Sequence, residues 1–365
     1  MPTEKSNIQN SIKTIVFTGG GSIGHVTLNL SLIPKFLSEG WKVVYIGSNG
    51  MEKELIENIP NVEYKEIPAG KFRRYLDAKN ISDIGRVAIA CAKASLIISK
   101  LKPSIIFSKG GYVSFPVVFG GWINKVPTII HESDLSPGLA NKMSLKFVST
   151  VCTTFPETKN NIEPNVEIVE LGPIIRTDLK HGNKSNGTKI CSFKDDKPII
   201  LIVGGSLGAE EINCAVRNSL NKLLNNYNII HVCGNGNTNK DLNMDGYCQF
   251  EYVKDEFPDL LAASDVVISR AGSNTIYELL FMKKPMLLIP LPASRSRGDQ
   301  IENARSFEGK GFAKVLINEE CKEKIVEEIN YVYSNRNEYI NAMKKYNLSD
   351  KSLDKLHDII VERAL

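Results

Sequence analysis

The sequence predicts an α/β protein of two nucleotide-fold domains with parallel sheets, facing each other across a deep cleft. Three observations carry that prediction. Two glycine turns are near copies, Gly20-Gly21-Ser22-Ile23-Gly24 and Gly204-Gly205-Ser206-Leu207-Gly208, each between an apolar run and a helical pattern. Short β-rich runs alternate with helical patterns along almost the whole chain, as parallel sheets with crossover helices require. The 365 residues, 42% hydrophobic and 24% charged, are enough to bury two separate cores.

The elements follow in order. In the first half the predicted strands are Thr14–Thr18, Lys42–Ile46, Glu63–Ile67, Ile105–Ser108, Thr128–His131, Val151–Thr154 and Val166–Glu170. In the second half they are Ile199–Val203, Asn228–Val232, Cys248–Tyr252, Val266–Ser269, Met286–Ile289 and Ala313–Leu316. Helices are expected from His25 to Leu37 and from Ala209 to Leu224, one after each glycine turn. Most strands run into Gly, Ser, Asn or Asp, so polar loops gather at the carboxyl edge where open α/β sheets bind ligands. Gly172-Pro173 marks a domain boundary, and polar His181 to Thr188 reads as a surface loop. Leu353, Leu356, Ile359, Ile360 and Arg363 fall at helical spacing, so the tail reads as a docked amphipathic helix.

Composition excludes several classes. A net charge of +4 lacks the concentrated basicity of a nucleic-acid binder, so no nucleic-acid partner is expected. The 7 cysteines form no C-x-x-C pair and read as free thiols in a reducing cytoplasm. Residues 1–13 are polar and carry no signal-peptide core. No apolar stretch approaches the roughly 18–20 residues that span a bilayer, so any membrane role is peripheral.

Each motif has a functional and a structural reading. Backbone N–H groups converging at a helix N-terminus suit phosphate, and the Ser206 turn is the stronger candidate; a tight βα connection is the alternative. His25, at a helix start, would stay neutral and accept a proton, or satisfy loop hydrogen bonds. Glu278 follows Arg270-Ala271-Gly272-Ser273-Asn274-Thr275, where it either accepts from ribose hydroxyls or closes a capping box with Thr275. Spacing alone favours the cap. Asp299 reads as an N-cap, and Gln300 beside it presents an amide suited to sugar hydroxyls. Lys109-Gly110-Gly111-Tyr112 is a third glycine turn at a strand end. His131 and Glu132 point to opposite faces of a strand with no second histidine at ligand spacing, so no metal is expected.

Taken together these motifs resemble the MurG family of bacterial glycosyltransferases. The resemblance rests on Gly20-Gly21-Ser22-x-Gly24-His25-Val26, Gly110-Gly111-Tyr112-Val113-Ser114 and His131-Glu132 with Gly138-Leu139-x-Asn141-Lys142. It continues through Gly172-Pro173-x-x-Arg176, Gly204-Gly205-Ser206-x-Gly208-Ala209, Arg270-x-Gly272-x-x-Thr275-x-x-Glu278 and Gln300-x-x-Asn303-Ala304, in order over roughly residues 14 to 305. Members transfer N-acetylglucosamine (GlcNAc) from UDP-GlcNAc to lipid I, giving lipid II for peptidoglycan synthesis. The resemblance implies a GT-B fold with an acceptor domain at residues 1–174, joined by a C-terminal helix at about 345–365. A donor domain would occupy residues 175–344.

Carried over by position, Arg176 and Ser206 would hold the donor diphosphate and the Val253 backbone would meet uracil. Ser273, Asn274, Thr275 and Glu278 would bind ribose and phosphate, and Gln300 would read the sugar. Ser22, Ile23 and Gly24 would line the domain junction, with Gly110, Gly111, Tyr112 and Asn141 on the acceptor side. His25 is the implied base and Asp134 its alternative. Ile23, Leu28 and Ser133-Asp134 depart from the family's usual glycine, proline and Gln-Asn. No cofactor is implied. The implied partners are UDP-GlcNAc, undecaprenyl-linked lipid I, an anionic membrane at the cytoplasmic face of the cell membrane and proteins of cell-wall synthesis. Lys71-Phe72-Arg73-Arg74-Tyr75-Leu76, with Trp122, has the mixture of cations and aromatics of an interfacial patch. A GT-B enzyme with another acceptor, such as a diacylglycerol glucosyltransferase or a sugar-nucleotide epimerase, is the nearest rival. A dinucleotide oxidoreductase would need a full G-x-G-x-x-G and an acidic residue about 20 positions on.

Overall fold

In a computed structural model the chain is described at residues 12–68, 79–163, 165–205 and 208–365, with side chains of 79–84 not described. The chain divides into two compact units: Met1–Ser133, Pro137–Gly172 and Lys351–Leu365 in the first, Asp134–Ser136 and Pro173–Asp350 in the second.

The first unit holds strands β1 (Thr14–Thr18), β2 (Lys42–Gly47), β3 (Val62–Glu66), β4 (Ile105–Ser108), β5 (Thr128–Glu132), β6 (Thr150–Thr153) and β7 (Glu167–Glu170). Its helices are α1 (Thr27–Ser38), α2 (Met51–Ile56), α3 (Lys79–Leu101), α4 (Ser114–Ile123) and α5 (Leu139–Ser144). The second holds α6 (Lys184–Ile190), β8 (Ile199–Val203), α7 (Glu210–Leu223), β9 (Asn228–Val232), β10 (Tyr247–Phe250), α8 (Phe257–Ala263) and β11 (Val266–Ser269). It continues through α9 (Ser273–Phe281), β12 (Met286–Leu288), α10 (Asp299–Gly309), β13 (Ala313–Val315), α11 (Cys321–Ser334) and α12 (Arg336–Lys344). The last helix, α13 (Ser352–Glu362), returns to the first unit.

The sheet orders are β3-β2-β1-β4-β5-β6-β7 and β10-β9-β8-β11-β12-β13, and every described pairing is parallel. Each is the doubly wound order of a Rossmann-like sheet. The order reverses between β1 and β4 in one unit and between β8 and β11 in the other, and ligand crevices open at such switch points. Continuous apolar runs make the central strands: Ile15, Val16 and Phe17 in β1, and Ile200, Leu201 and Ile202 in β8, are fully buried. In α7 the buried residues Ile212, Ala215, Val216, Ser219, Leu220 and Leu223 form one stripe. That face packs with Ile325, Ile329 and Val332 of α11 around the β8 and β9 side chains.

Several expectations shift. The stretch 181–188 is not a loop, because Asn183 accepts from the Ser185 and Asn186 amides and so caps α6. The C-terminal helix begins at Ser352, later than 345, with the chain returning to the first unit at Lys351.

Candidate active site

In the first unit the chain leaves β1 through the Gly20 turn, then makes a 3₁₀ turn at Ile23–His25 before α1 begins at Thr27. His25 therefore precedes the α1 N-cap Val26 rather than opening the helix. Hydrogen bonding sets its tautomer. Its Nδ1 lies 3.2 Å from the Gly20 carbonyl and 3.0 Å from Ser22 Oγ. A carbonyl only accepts, so Nδ1 carries the proton and Nε2 the lone pair. That is the tautomer a general base needs. Ser22, Ile23 and Gly24 are exposed around it.

Two amides of this turn already have acceptors within the first unit. Gly21 N–H donates to Glu52 Oε2 (3.3 Å) and Gly20 N–H to the Gly110 carbonyl (3.3 Å). The buried Glu52 also accepts from Ser48 N–H (3.0 Å) and Ser48 Oγ (2.5 Å). Beneath the turn, Tyr45 hydroxyl donates to the Gly19 carbonyl at 2.7 Å, and Asn29 Nδ2 to the Thr18 carbonyl and the Tyr45 oxygen. A carboxylate on the Gly21 amide disfavours phosphate at that position of the first turn.

The turn after β4 interlocks with it. Gly111 has φ +88°, and a Cβ there would stand 2.0 Å from the Gly20 carbonyl oxygen, so no larger residue fits. Asn141, on α5, is buried, and its Nδ2 donates to Glu132 Oε2 (2.8 Å) and the His131 carbonyl (3.2 Å). The Glu132 carboxylate also accepts from Gly138 N–H at 2.9 Å, closing the loop from 133 to 138. His131 is buried, and burial with the Lys109 charge pushes its pKa well down, so it is a neutral core residue. Asp134 belongs with the second unit. Its carboxylate accepts from Arg297 Nη2 at 2.5 Å and Asn303 Nδ2 at 3.1 Å.

In the second unit the turn after β8 reaches α7 through Gly208, at φ +76°, where a Cβ would lie 2.2 Å from the Cys233 carbonyl oxygen. Ala209 is the N-cap and has no side-chain acceptor for the first-turn amides. Ser206 and Leu207 lie outside the described residues. Across the switch point, α9 starts at Ser273 behind Gly272, also without a side-chain cap. Thr275 thus lies inside the helix, and the predicted capping box with Glu278 is not formed. The amides of Ser273, Asn274 and Thr275 form an uncapped helix start, the chemistry that binds anions.

Glu278, one turn on, has its pKa pushed up to about 7 by burial, opposed by Arg176 and reinforced by Asp178. Arg176 caps the 3₁₀ turn Thr177–His181 and lies 5.8 Å from the Phe257 ring centroid. Val253 follows β10, beside exposed Tyr252. Gly298, with φ +88°, is the N-cap of α10, which puts Asp299 in the first turn rather than at the cap. Gln300 Oε1 accepts from Leu291 N–H at 3.1 Å, fixing the amide. Buried Arg270 ties the strand-end loops together, donating to the Ile289 carbonyl (3.1 Å), Asn318 Oδ1 (2.7 Å) and Glu211 Oε2 (3.2 Å).

Sequence reasoning missed Glu52, Asn29 and Tyr45 beneath the first turn. Their partners lie 11 to 31 positions away, and no local spacing marks them. The segment Lys71–Leu76 lies outside the described residues.

Two Rossmann-like units, one with an anion-type helix start beside a half-buried carboxylate and an arginine, define a GT-B glycosyltransferase. The chain matches the glycosyltransferase family 28 N-terminal domain at residues 15–153 and the C-terminal domain at residues 199–359. It is 51% identical over 93% of its length to a UDP-N-acetylglucosamine--N-acetylmuramyl-(pentapeptide) pyrophosphoryl-undecaprenol N-acetylglucosamine transferase of Geobacillus thermodenitrificans, covering 96% of that protein. An enzyme of the same name from Clostridium tetani is 50% identical over 95% of this chain and 97% of its own. Among solved structures, Acinetobacter baumannii MurG superposes with a TM-score of 0.75 at 22% identity, covering 96% of this chain and all of that one, 100%. The calicheamicin glycosyltransferase CalG4 gives 0.71 at 12% identity, with 97% of this chain and 98% of that one covered. The protein belongs to glycosyltransferase family 28, in its MurG branch.

Proposed function

We propose that the protein transfers N-acetylglucosamine from UDP-GlcNAc to the muramyl 4-hydroxyl of lipid I, forming lipid II in peptidoglycan synthesis. One observation carries the reading: half the residues are shared, over more than nine tenths of the chain, with transferases named for this reaction. The site chemistry fits it. His25 Nε2 removes the proton from the acceptor hydroxyl, and the oxygen attacks the anomeric carbon. UDP leaves from the opposite face, so the configuration inverts. The developing negative charge on UDP meets the Arg176 guanidinium and the uncapped amides at the start of α9. Glu278 accepts from the ribose hydroxyls, the Val253 backbone meets uracil, and the Gln300 amide reads the sugar. Ser206 completes the diphosphate site. Gly110, Gly111, Tyr112 and Asn141 shape the acceptor side. The functional division proposed is an acceptor domain of 1–174 and a donor domain of 175–344, whereas the compact units change at Gly172/Pro173 and Asp350/Lys351.

No helix among the described residues is long and apolar enough to cross a membrane. The lipid acceptor is reached instead from the surface of the first unit, at the cytoplasmic face of the cell membrane. On α4, Phe115, Phe119 and Trp122 share one face and pack edge-to-face against Phe147, the ring contacts of the cluster having centroid distances of 5.2 to 6.2 Å. Trp122 and Ile123 are 52% and 49% exposed; Lys125 follows them in the chain, and Lys146 adjoins Phe147. An apolar face with nearby cations suits an anionic bilayer. The decisive experiment supplies UDP-GlcNAc with and without a lipid I analogue. UDP release that requires the analogue supports the reading; equal release without it, or conversion of the sugar nucleotide to an epimer, removes it.

A further inference from the structure

The role proposed above for Arg176 leaves open what aims it. A guanidinium has two edges that can each donate a parallel pair of hydrogen bonds, one through Nε and Nη2 and one through Nη1 and Nη2. Arg176 spends the first on Asp178: Nε donates to Oδ1 at 3.2 Å and Nη2 to Oδ2 at 2.5 Å. The aspartate is itself anchored. It sits in the first turn of the 3₁₀ segment Thr177–His181, where its own amide and that of Leu179 donate to its carboxylate. Phe257 supplies a ring 5.8 Å from the guanidinium carbon. Arg176 is thus gripped by one edge and backed by a ring.

We infer that Asp178 is a positioning residue for the donor diphosphate: it holds Arg176 by the Nε edge and turns the Nη1 edge toward the phosphates. The inference rests on the diphosphate role given to Arg176. Its logic is that of an outer partner orienting a ligand-binding group, since a long side chain fixed beforehand loses less freedom on binding. The charge argument runs the other way. Asp178 is an anion beside an anion site, close enough to help raise the Glu278 pKa. By charge alone its removal strengthens diphosphate binding; by positioning, its removal weakens it. The two accounts predict opposite signs.

Calorimetric titration with UDP and with uridine separates them. Asp178→Ala is expected to weaken UDP binding about tenfold, the scale of an outer-partner loss, while uridine affinity stays unchanged. In an Arg176→Ala background, Asp178→Ala should cause no further loss of UDP affinity. Asp178→Asn, which keeps one acceptor oxygen, should recover part of the affinity. UDP binding equal to or tighter than wild type in Asp178→Ala overturns the inference, as does an equal loss for uridine, which marks a merely structural role. If Arg176→Ala alone leaves UDP affinity intact, the diphosphate role of Arg176 falls, and the inference with it. If Arg176→Ala weakens UDP binding while Asp178→Ala does not, only the inference falls.

Discussion

At the scale of single residues, hydrogen bonding decides which groups can do chemistry. His25 holds its Nδ1 proton against the Gly20 carbonyl, which leaves the basic nitrogen at Nε2. Replacing it with alanine should lower kcat by about 10²- to 10⁴-fold, the range of general-base contributions, with KM for UDP-GlcNAc nearly unchanged. Steady-state kinetics reads both, and an unaltered kcat would remove His25 as the base. Glu278 makes a pH prediction. Its pKa in the folded chain is about 7 against 4.5 ordinarily. The sign follows from that increase: its contribution to stability is full below 4.5 and is lost as pH rises through 7. Ribose hydroxyls donate best to the ionised carboxylate. UDP-GlcNAc affinity should therefore rise up to roughly tenfold between pH 6 and 8, as the ionised fraction grows. Glu278→Gln should bind more weakly and flatten that profile in calorimetry. A persistent slope would assign the titration to another group.

At the scale of elements, the strands were legible because their signal is local. Ile199–Val203 and Val266–Ser269 are apolar runs ending in turn residues, and their bounds match those read from the sequence. Helix starts were less legible, because a cap is chosen by backbone geometry as well as by residue type. Thr275 and Asp299 are good capping residues, yet Gly272 and Gly298 stand at the caps and put both inside their helices. The two glycine turns look alike in sequence and differ in their surroundings. Glu52, 31 residues from Gly21, takes the Gly21 amide of the first, which no reading of the motif alone reveals. Helix α4 carries the element-scale prediction. Its face of Phe115, Phe119 and Trp122 follows i, i+4, i+7 spacing, and Trp122 is its most exposed ring. Trp122→Glu should reduce co-sedimentation with anionic vesicles and raise KM for a lipid-bearing acceptor. A water-soluble acceptor analogue should be used as well as before. Unchanged sedimentation would place the membrane contact elsewhere.

At the scale of the molecule, the chain crosses between units and then returns, and the return is a structural commitment of the first unit. Helix α13 buries Leu356, His357, Ile359 and Ile360. Polar contacts tie it along its length: Ser352 Oγ donates to the Leu171 carbonyl at 3.1 Å, Lys355 Nζ to the Glu170 carbonyl at 2.8 Å and Arg363 Nη2 to Glu167 at 2.5 Å. His357 rests 4.8 Å from the Phe36 ring centroid and bonds Glu39 at 2.9 Å, so α13 covers α1, the helix that follows the His25 turn. The exposed ion pairs contribute little each, and the buried Leu356, Ile359 and Ile360 carry most of the docking. Leu356→Ala should destabilise the first unit by about 2–5 kcal/mol, the cost of a large-to-small change in a core. With two units a single melting midpoint is not a sufficient readout. Amide exchange resolves it: protection should fall in β1, α1 and β2 and persist in β8, α7 and β9. UDP should still slow exchange around α9, because the donor groups proposed above belong to the other unit. Uniform loss of protection across both sheets would mean that the units unfold as one, and that the returning helix supports the whole chain rather than the half it packs against.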